Sequence, residues 1–130
     1  MFIYFKFGHP IIEKKMKYKE RVSLEDRKKV SNRIVNEHPN RIPVIVECSE
    51  ALQRDHTLPK NKFAVPYDLT LAQFMYVVRK NMALKPEFAL YAFINNRLHP
   101  TAALMGTIYS QEKTDDGFMY IELFQESTFG

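Results

Sequence analysis

The segment Leu69-Thr70-Leu71-Ala72-Gln73-Phe74 constrains this chain more than any other. Thr followed three residues later by Gln forms a capping box, in which each side chain satisfies the other residue's backbone N–H, and Leu69 can pack on Phe74 as a hydrophobic staple. Leu71, Phe74, Met75, Val78 and Met82 then recur at offsets of 0, 3, 4, 7 and 11, the spacing of one helical face. Arg79-Lys80 oppose the negative C-terminal end of the helix dipole. A helix with such a stripe needs an apolar surface to lie on, and the sequence around it supplies strands.

Pro43-Val44-Ile45-Val46-Glu47-Cys48 is a β-branched run and reads as a strand, and Lys62-Phe63-Ala64-Val65-Pro66 reads as a second. Pro66 has no N–H, which suits a strand end or a sheet edge. The thirteen residues from Ser49 to Asn61 read as an irregular polar connection. After the long helix, Ala89 to Ile94 read as a third strand, Asn95-Asn96 as a turn and Thr101 to Gln111 as a short helix; Asp116-Gly117 then leads into a last strand, Phe118 to Phe124. The pair Asp115-Asp116 before Gly117 is explained as hairpin turn chemistry. Ahead of all this, Ser23-Leu24-Glu25-Asp26 caps a helix that His38-Pro39 stops. Val30 and Ile34 give that helix a thin apolar face, so it lies on the body without passing through it.

The order helix, strand, strand, long helix, strand, short helix, strand describes an α+β chain. The fold expected is a β-grasp, the ubiquitin-like arrangement, with a four-stranded mixed sheet and extra N-terminal helices. A ferredoxin-like sandwich is the alternative, and it would need a longer helix than Thr101 to Gln111.

A chain of 130 residues, 45% hydrophobic, fits one globular domain, and 17 aromatic residues (10 Phe, 7 Tyr) exclude wholesale disorder. The single cysteine, Cys48, excludes an intramolecular disulfide framework and a Cys-rich zinc site. No stretch is long and apolar enough to read as a membrane span, and Met1 to Phe7 lacks the basic flank of a signal peptide. Residues 1–15 read as an N-terminal extension, flexible or foreign to the domain, with the domain proper at 16–130. Residues 1–62 carry 14 Lys and Arg against 8 Asp and Glu, whereas 63–130 carry 5 against 7. That basic half either attracts acidic partners or is simply a solvated helical face.

Motifs for catalysis are missing: there is no GxGxxG, P-loop, HExxH or GxSxG, and His9, His38, His56 and His99 are scattered. The chain is therefore expected not to be an enzyme and to need no cofactor. A basic nucleic-acid module would need aromatics facing out between lysines, whereas most here fit a core stripe, so no nucleic acid is expected. The polar tail Gln125-Glu126-Ser127-Thr128-Phe129-Gly130 ends in a residue without Cβ, whose carboxylate can enter a narrow cleft and be attacked with little hindrance.

In order and spacing, Pro39-Asn40-Arg41-Ile42-Pro43-Val44-Ile45-Val46-Glu47, Lys62 through Phe74, Phe93-Ile94-Asn95-Asn96 and Asp116-Gly117-Phe118-Met119-Tyr120 resemble the ubiquitin-like autophagy modifiers. These form the autophagy-related protein eight family, with the GABA-A-receptor-associated protein and the microtubule-associated-protein light chains. The resemblance covers roughly residues 16 to 130, and Ser23-Leu24-Glu25-Asp26-Arg27 stands where the family has its opening helical motif.

The resemblance implies a conjugation substrate. Gly130 would be adenylated by an activating enzyme, passed as a thioester to a conjugating enzyme and joined to phosphatidylethanolamine; a cysteine protease processes or deconjugates relatives. It implies a cytoplasmic protein that becomes lipid-anchored on autophagosome membranes, and it extends the possible partners to acidic tubulin tails through the basic residues from Lys14 to Arg33. It also implies recognition of cargo receptors carrying an aromatic-x-x-aliphatic motif, which an open edge at Lys62 to Val65 favours independently. The aromatic pocket would match Ile34, Pro43, Ile45, Lys62, Ala64 and Phe118. The aliphatic pocket would match Phe63, Val65, Pro66, Leu69, Phe74 and Val77, with Arg41 available to an acidic flank. Ala64 stands where relatives usually carry Leu, His38 where they carry Tyr, and Asn81 where Arg is frequent. A ubiquitin-like adaptor that is never conjugated remains the other reading.

Overall fold

The computed structural model describes residues 16–126 in full, and the backbone alone of Ile3–Tyr4 (β1) and Pro10–Ile11 (β2), which pair antiparallel. The body begins with a single helical turn, Tyr18–Arg21 (α1), followed by Leu24–Glu37 (α2). Ser23 caps α2 by accepting the Asp26 N–H, and His38 ends it ahead of Pro39, as the sequence predicts.

The sheet contains Arg41–Cys48 (β3), Lys62–Pro66 (β4), Leu90–Ile94 (β5) and Met119–Gln125 (β6) in the order β4-β3-β6-β5. β3 is antiparallel to β4 and parallel to β6, and β5 is antiparallel to β6, so the sheet is mixed. Between β4 and β5 runs Leu71–Met82 (α4), with both halves of the Thr70/Gln73 capping box formed. Met105–Glu112 (α5) precedes β6.

β3 begins two residues earlier than its β-branched run suggests and takes in Pro43. The backbone bonds from Val46 N–H to the Asn61 carbonyl and from Tyr67 N–H to the Asn40 carbonyl fix which pairs of the β3–β4 ladder are hydrogen-bonded. By that alternation Pro43 faces Ala64 in a non-bonded pair, and the β6 register starts only at Val44. The missing proline N–H therefore removes no ladder bond.

Two expectations need correction. The Ser49–Asn61 connection is not irregular throughout: Glu50–Asp55 (α3) is helical, capped by the Ser49 hydroxyl accepting the Leu52 N–H at 3.3 Å. Ser-Glu supplies a cap and an acidic first turn, and Leu52, wholly buried, anchors the helix to the core. One apolar anchor in six residues leaves no visible helical stripe. Asp115-Asp116-Gly117 is likewise not a hairpin turn, because it joins α5 to β6; Asp116 is a buried side chain with several partners.

The sheet has two packed faces. Ile42, Val44, Val46, Phe63, Val65, Ile121 and Leu123 meet Leu71, Phe74, Val78 and Met82 of α4 in the main core. On the other face Tyr18, Ile45 and Phe118 form a smaller cluster, covered by Val22, Val30, Ile34 and Tyr120. The Asn95-Asn96 turn is left-handed at both residues, with φ of 51° and 61°, which closes a two-residue hairpin onto Arg97.

Because Leu52 is the buried anchor of α3, Leu52→Ala should destabilise the protein by about 2–5 kcal/mol. Urea unfolding followed by circular dichroism measures the loss; a change below about 0.5 kcal/mol would show that α3 is not anchored through this residue.

Candidate functional site

β4 lies at the sheet edge, and no strand among the described residues pairs with its outer side. The ladder alternation that bonds Phe63 and Val65 to β3 turns the N–H and C=O groups of Lys62 and Ala64 outward. Pro66, which has no N–H, ends that row, and its carbonyl accepts from Leu69 N–H at 3.2 Å. The result is an edge with amides and carbonyls in place for one added strand.

Successive side chains of β4 point to opposite faces, so the edge is flanked by two different surfaces. Toward α2 lie Lys62 and Ala64, register partners of Ile45 and Pro43. Ile45, Phe118 and Pro43 are buried, Ile34 and Ala64 half-buried, and Lys62 exposed. The structure therefore brings together all six residues matched to an aromatic pocket, three as floor and three as rim.

Toward α4 the floor is Phe63 against Phe74, with ring centroids 5.3 Å apart and edge-to-face. Both rings and Val65 belong to the main core, Leu69 and Pro66 are half-buried, and Val77 is 42% exposed. Phe74 thus supports this side from below, while Val77 stands on the surface beside it. Arg41, exposed at the start of β3, directs a guanidinium N–H toward the Ala64 carbonyl at 3.5 Å, a weak contact that an incoming strand can displace.

What holds α2 over its half of the edge is a polar cluster that the sequence reading missed. The Asp116 carboxylate accepts from Arg27 Nε at 2.8 Å, Phe118 N–H at 2.8 Å, Thr114 Oγ1 at 2.7 Å and the Tyr120 hydroxyl. Ser31 of α2 donates to the Asp116 carbonyl, and Arg27 also donates to the carbonyl of Val22. Burial alone would raise the Asp116 pKa, but the bonds from Tyr120, Phe118, Thr114 and Arg27 outweigh it and hold the carboxyl below its ordinary value. Burial and that same carboxylate push the Tyr120 hydroxyl well up. Gly117 completes the junction with φ of +88°, and a Cβ there would lie 2.5 Å from Ser31 Oγ. The available signal was Asp-Gly directly before a strand, together with an Arg at the start of a helix with only a thin apolar face.

Gly130 lies outside the described residues, as do residues 127–129. The last described contacts are Glu126 N–H to the Ala89 carbonyl at 3.0 Å and the Tyr91 hydroxyl to Glu126 Oε1 at 3.0 Å. His38 and Asn81 are both exposed, and Asn81 Nδ2 donates back to the Val77 carbonyl at 3.2 Å. Among the described residues no group of His, Cys, Asp and Glu could hold a metal ion, and no helix is long and apolar enough to cross a membrane.

A mixed sheet in this order, with a capped helix across one face and a free strand edge beside it, defines a ubiquitin-like protein. The family model described as "Autophagy protein Atg8 ubiquitin like" matches residues 26–130, and the chain belongs to the Atg8 family. It is 48% identical over 114 residues to Autophagy-related protein 8 of Schizosaccharomyces pombe, covering 87% of this chain and 93% of that one. Against Autophagy-related protein 8 of Saccharomyces cerevisiae it is 46% identical over 117 residues, 89% of this chain and 98% of that one. The crystal structure of Trypanosoma brucei ATG8 superposes with a TM-score of 0.77 at 37% identity, covering 90% of this chain and all of that one.

Removing the hub leaves Arg27 facing a buried space, so Asp116→Ala should cost about 3 kcal/mol. A lowered folded pKa means that the carboxylate's contribution is fully present above the unfolded value of 3.8 and is lost as pH falls through the folded value. Acid unfolding followed between about pH 5 and pH 1 should therefore be shallower in Asp116→Ala than in the parent. Superimposable acid limbs would remove Asp116 from the account.

Proposed function

We propose that this protein is a ubiquitin-like modifier joined through Gly130 to phosphatidylethanolamine, and that it recruits proteins carrying an aromatic-x-x-aliphatic motif to autophagosome membranes. Residues 16–130 would form the modifier domain. On this reading it is handled by enzymes and catalyses nothing itself. The Gly130 carboxylate would displace pyrophosphate from ATP to give an acyl adenylate. A cysteine of the activating enzyme would displace AMP to form a thioester, a cysteine of the conjugating enzyme would take over the acyl group by thiol exchange, and the lipid amine would attack that second thioester, releasing the thiol and leaving an amide. A deconjugating cysteine protease would hydrolyse the amide. Two acyl chains would then turn a cytoplasmic domain into a firmly held peripheral one.

The observation that carries the recognition half is the outward row of amides on β4 between two unlike apolar surfaces. A peptide added along Lys62 and Ala64 would gain main-chain bonds. Its side chains would alternate between faces, one toward Pro43, Ile45, Ala64 and Phe118 and the other toward Phe63, Val65, Leu69 and Val77. An aromatic residue suits the first surface, which Ala64 leaves shallowly filled, and a smaller aliphatic one suits the second, which Phe63 and Phe74 already fill from beneath. Lys62 and Arg41 would favour acidic peptide flanks.

Ala64→Pro removes one outward N–H while leaving the bonds to β3 intact, and should weaken an aromatic-x-x-Leu peptide by about tenfold or more. Calorimetric titration against the parent measures this, and unchanged affinity would move binding off the edge. Incubation with activating enzyme, conjugating enzyme, ATP and phosphatidylethanolamine liposomes should yield a membrane-bound species that deletion of Gly130 abolishes. Intact peptide binding with no ATP-dependent thioester would instead identify a non-conjugated adaptor.

A further inference from the structure

Beyond the open edge, the protein carries a cavity of about 570 Å³. It sits where β3 outruns β4: the β4 register stops at Ile45–Lys62, and just beyond it the Val46 N–H donates to the Asn61 carbonyl. Val46, Cys48, Leu58 and Pro59 give it an apolar lining, α3 contributes Glu50, Gln53 and Arg54, and Met16 and Lys17 form part of its wall. Its size is that of a ligand pocket, and Glu47, His56, Thr57 and Asn61 complete its lining.

The chain itself leads to the cavity. Tyr18 N–H donates to Glu47 Oε2 at 2.8 Å and Lys17 Nζ pairs with Glu122 at 3.2 Å, so the point at which residues 1–15 join the body is pinned at the cavity wall. Those residues include Phe2, Ile3, Tyr4, Phe5, Phe7, Ile11 and Ile12, far more apolar side chain than a solvated tail carries. β1 and β2 pair antiparallel, and an isolated two-stranded hairpin is marginal in water unless it packs on something. An extended chain advances at most about 3.6 Å per residue, so the tether holds Ile11 and Ile12 within about 18 Å of Met16, which itself lines the cavity. Tethering makes the contact intramolecular and raises the local concentration of the segment to the millimolar range.

We propose that residues 1–15 dock into this cavity, with Ile11 and Ile12 as anchors, so that the chain covers its own apolar recess between β3, α3 and the 56–61 loop. This docking site is separate from the peptide edge and does not depend on how that edge is used.

Cys48 lines the cavity and is the only cysteine of the chain, so its alkylation reports the docking directly. If the segment is docked about nine-tenths of the time, removing residues 2–12 should speed reaction with iodoacetamide about tenfold, because reaction proceeds through the open fraction. Ile11→Asp with Ile12→Asp in the full chain should give the same acceleration, with unchanged far-ultraviolet circular dichroism. A synthetic peptide of residues 1–15 added to the truncated chain should restore protection. Equal alkylation rates in all three proteins would overturn the proposal. So would protection of the full chain that vanishes on dilution, which would place a second copy, and not the chain's own segment, in the cavity.

Discussion

Strand β3 is the element on which the rest of the molecule depends, because it is buried on both faces and bonded on both sides. Ile42, Val44 and Val46 belong to the core under α4, whereas Pro43 and Ile45 face the cluster under α2. A shift of one residue in its register would exchange these two sets and put Glu47 into the main core. Parallel pairing with β6 from Val44 to Cys48 and antiparallel pairing with β4 from Arg41 to Ile45 hold it in place. β4 therefore inherits a fixed position with one side bonded and the other open. The candidate groove is a consequence of this arrangement and not a separate construction.

The two walls of the groove are held by different physics. The α4 side rests on a continuous apolar core, with Phe74, Val78 and Met82 packed on the sheet and the helix start fixed by reciprocal capping bonds. The α2 side has only Val30 and Ile34 for apolar contact and is tied down by Arg27 and Ser31 reaching Asp116. Charged hydrogen bonds substitute there for hydrophobic area. The Tyr109 hydroxyl adds a bond to the Gly117 carbonyl at 2.6 Å, so α5 is drawn into the same junction.

Elements that announce themselves through local chemistry were legible in the sequence. Ser23 and Thr70 caps, the Asn95-Asn96 turn and the stripe from Leu71 to Met82 each carry their own signal, and the structure places all of them as read. Pro66 at a strand end marked the edge before the sheet order was known. Short elements fixed by tertiary contact were not legible. α3 depends on Leu52 meeting a core contributed by distant segments, and the role of Asp116 depends on Arg27, 89 positions away. The cavity beside α3 was equally hidden, because it results from β3 being longer than its partner, a comparison between two strands that no local window contains. The individual residues of the groove came from resemblance, and periodicity alone would have assigned Phe63, Val65 and Phe74 simply to the core.

The different attachment of the two walls has a consequence for recognition. A surface backed by close-packed side chains resists change, since filling or emptying it alters core volume. The aliphatic side of β4 is of this kind, and its floor residues cannot vary without cost to the fold. The aromatic side is roofed by a helix whose hold is a handful of directional bonds, and its rim residues Ile34, Ala64 and Lys62 are not fully buried. Because β3 and β4 are held by their own ladder bonds, α2 is tied to that side through the Asp116 junction and not through the β3–β4 register. Ala64 enlarges the same side by removing side-chain volume from the rim. On the proposed reading, the closely packed side would set the position of a bound strand, and the side roofed through directional bonds would receive the larger side chain.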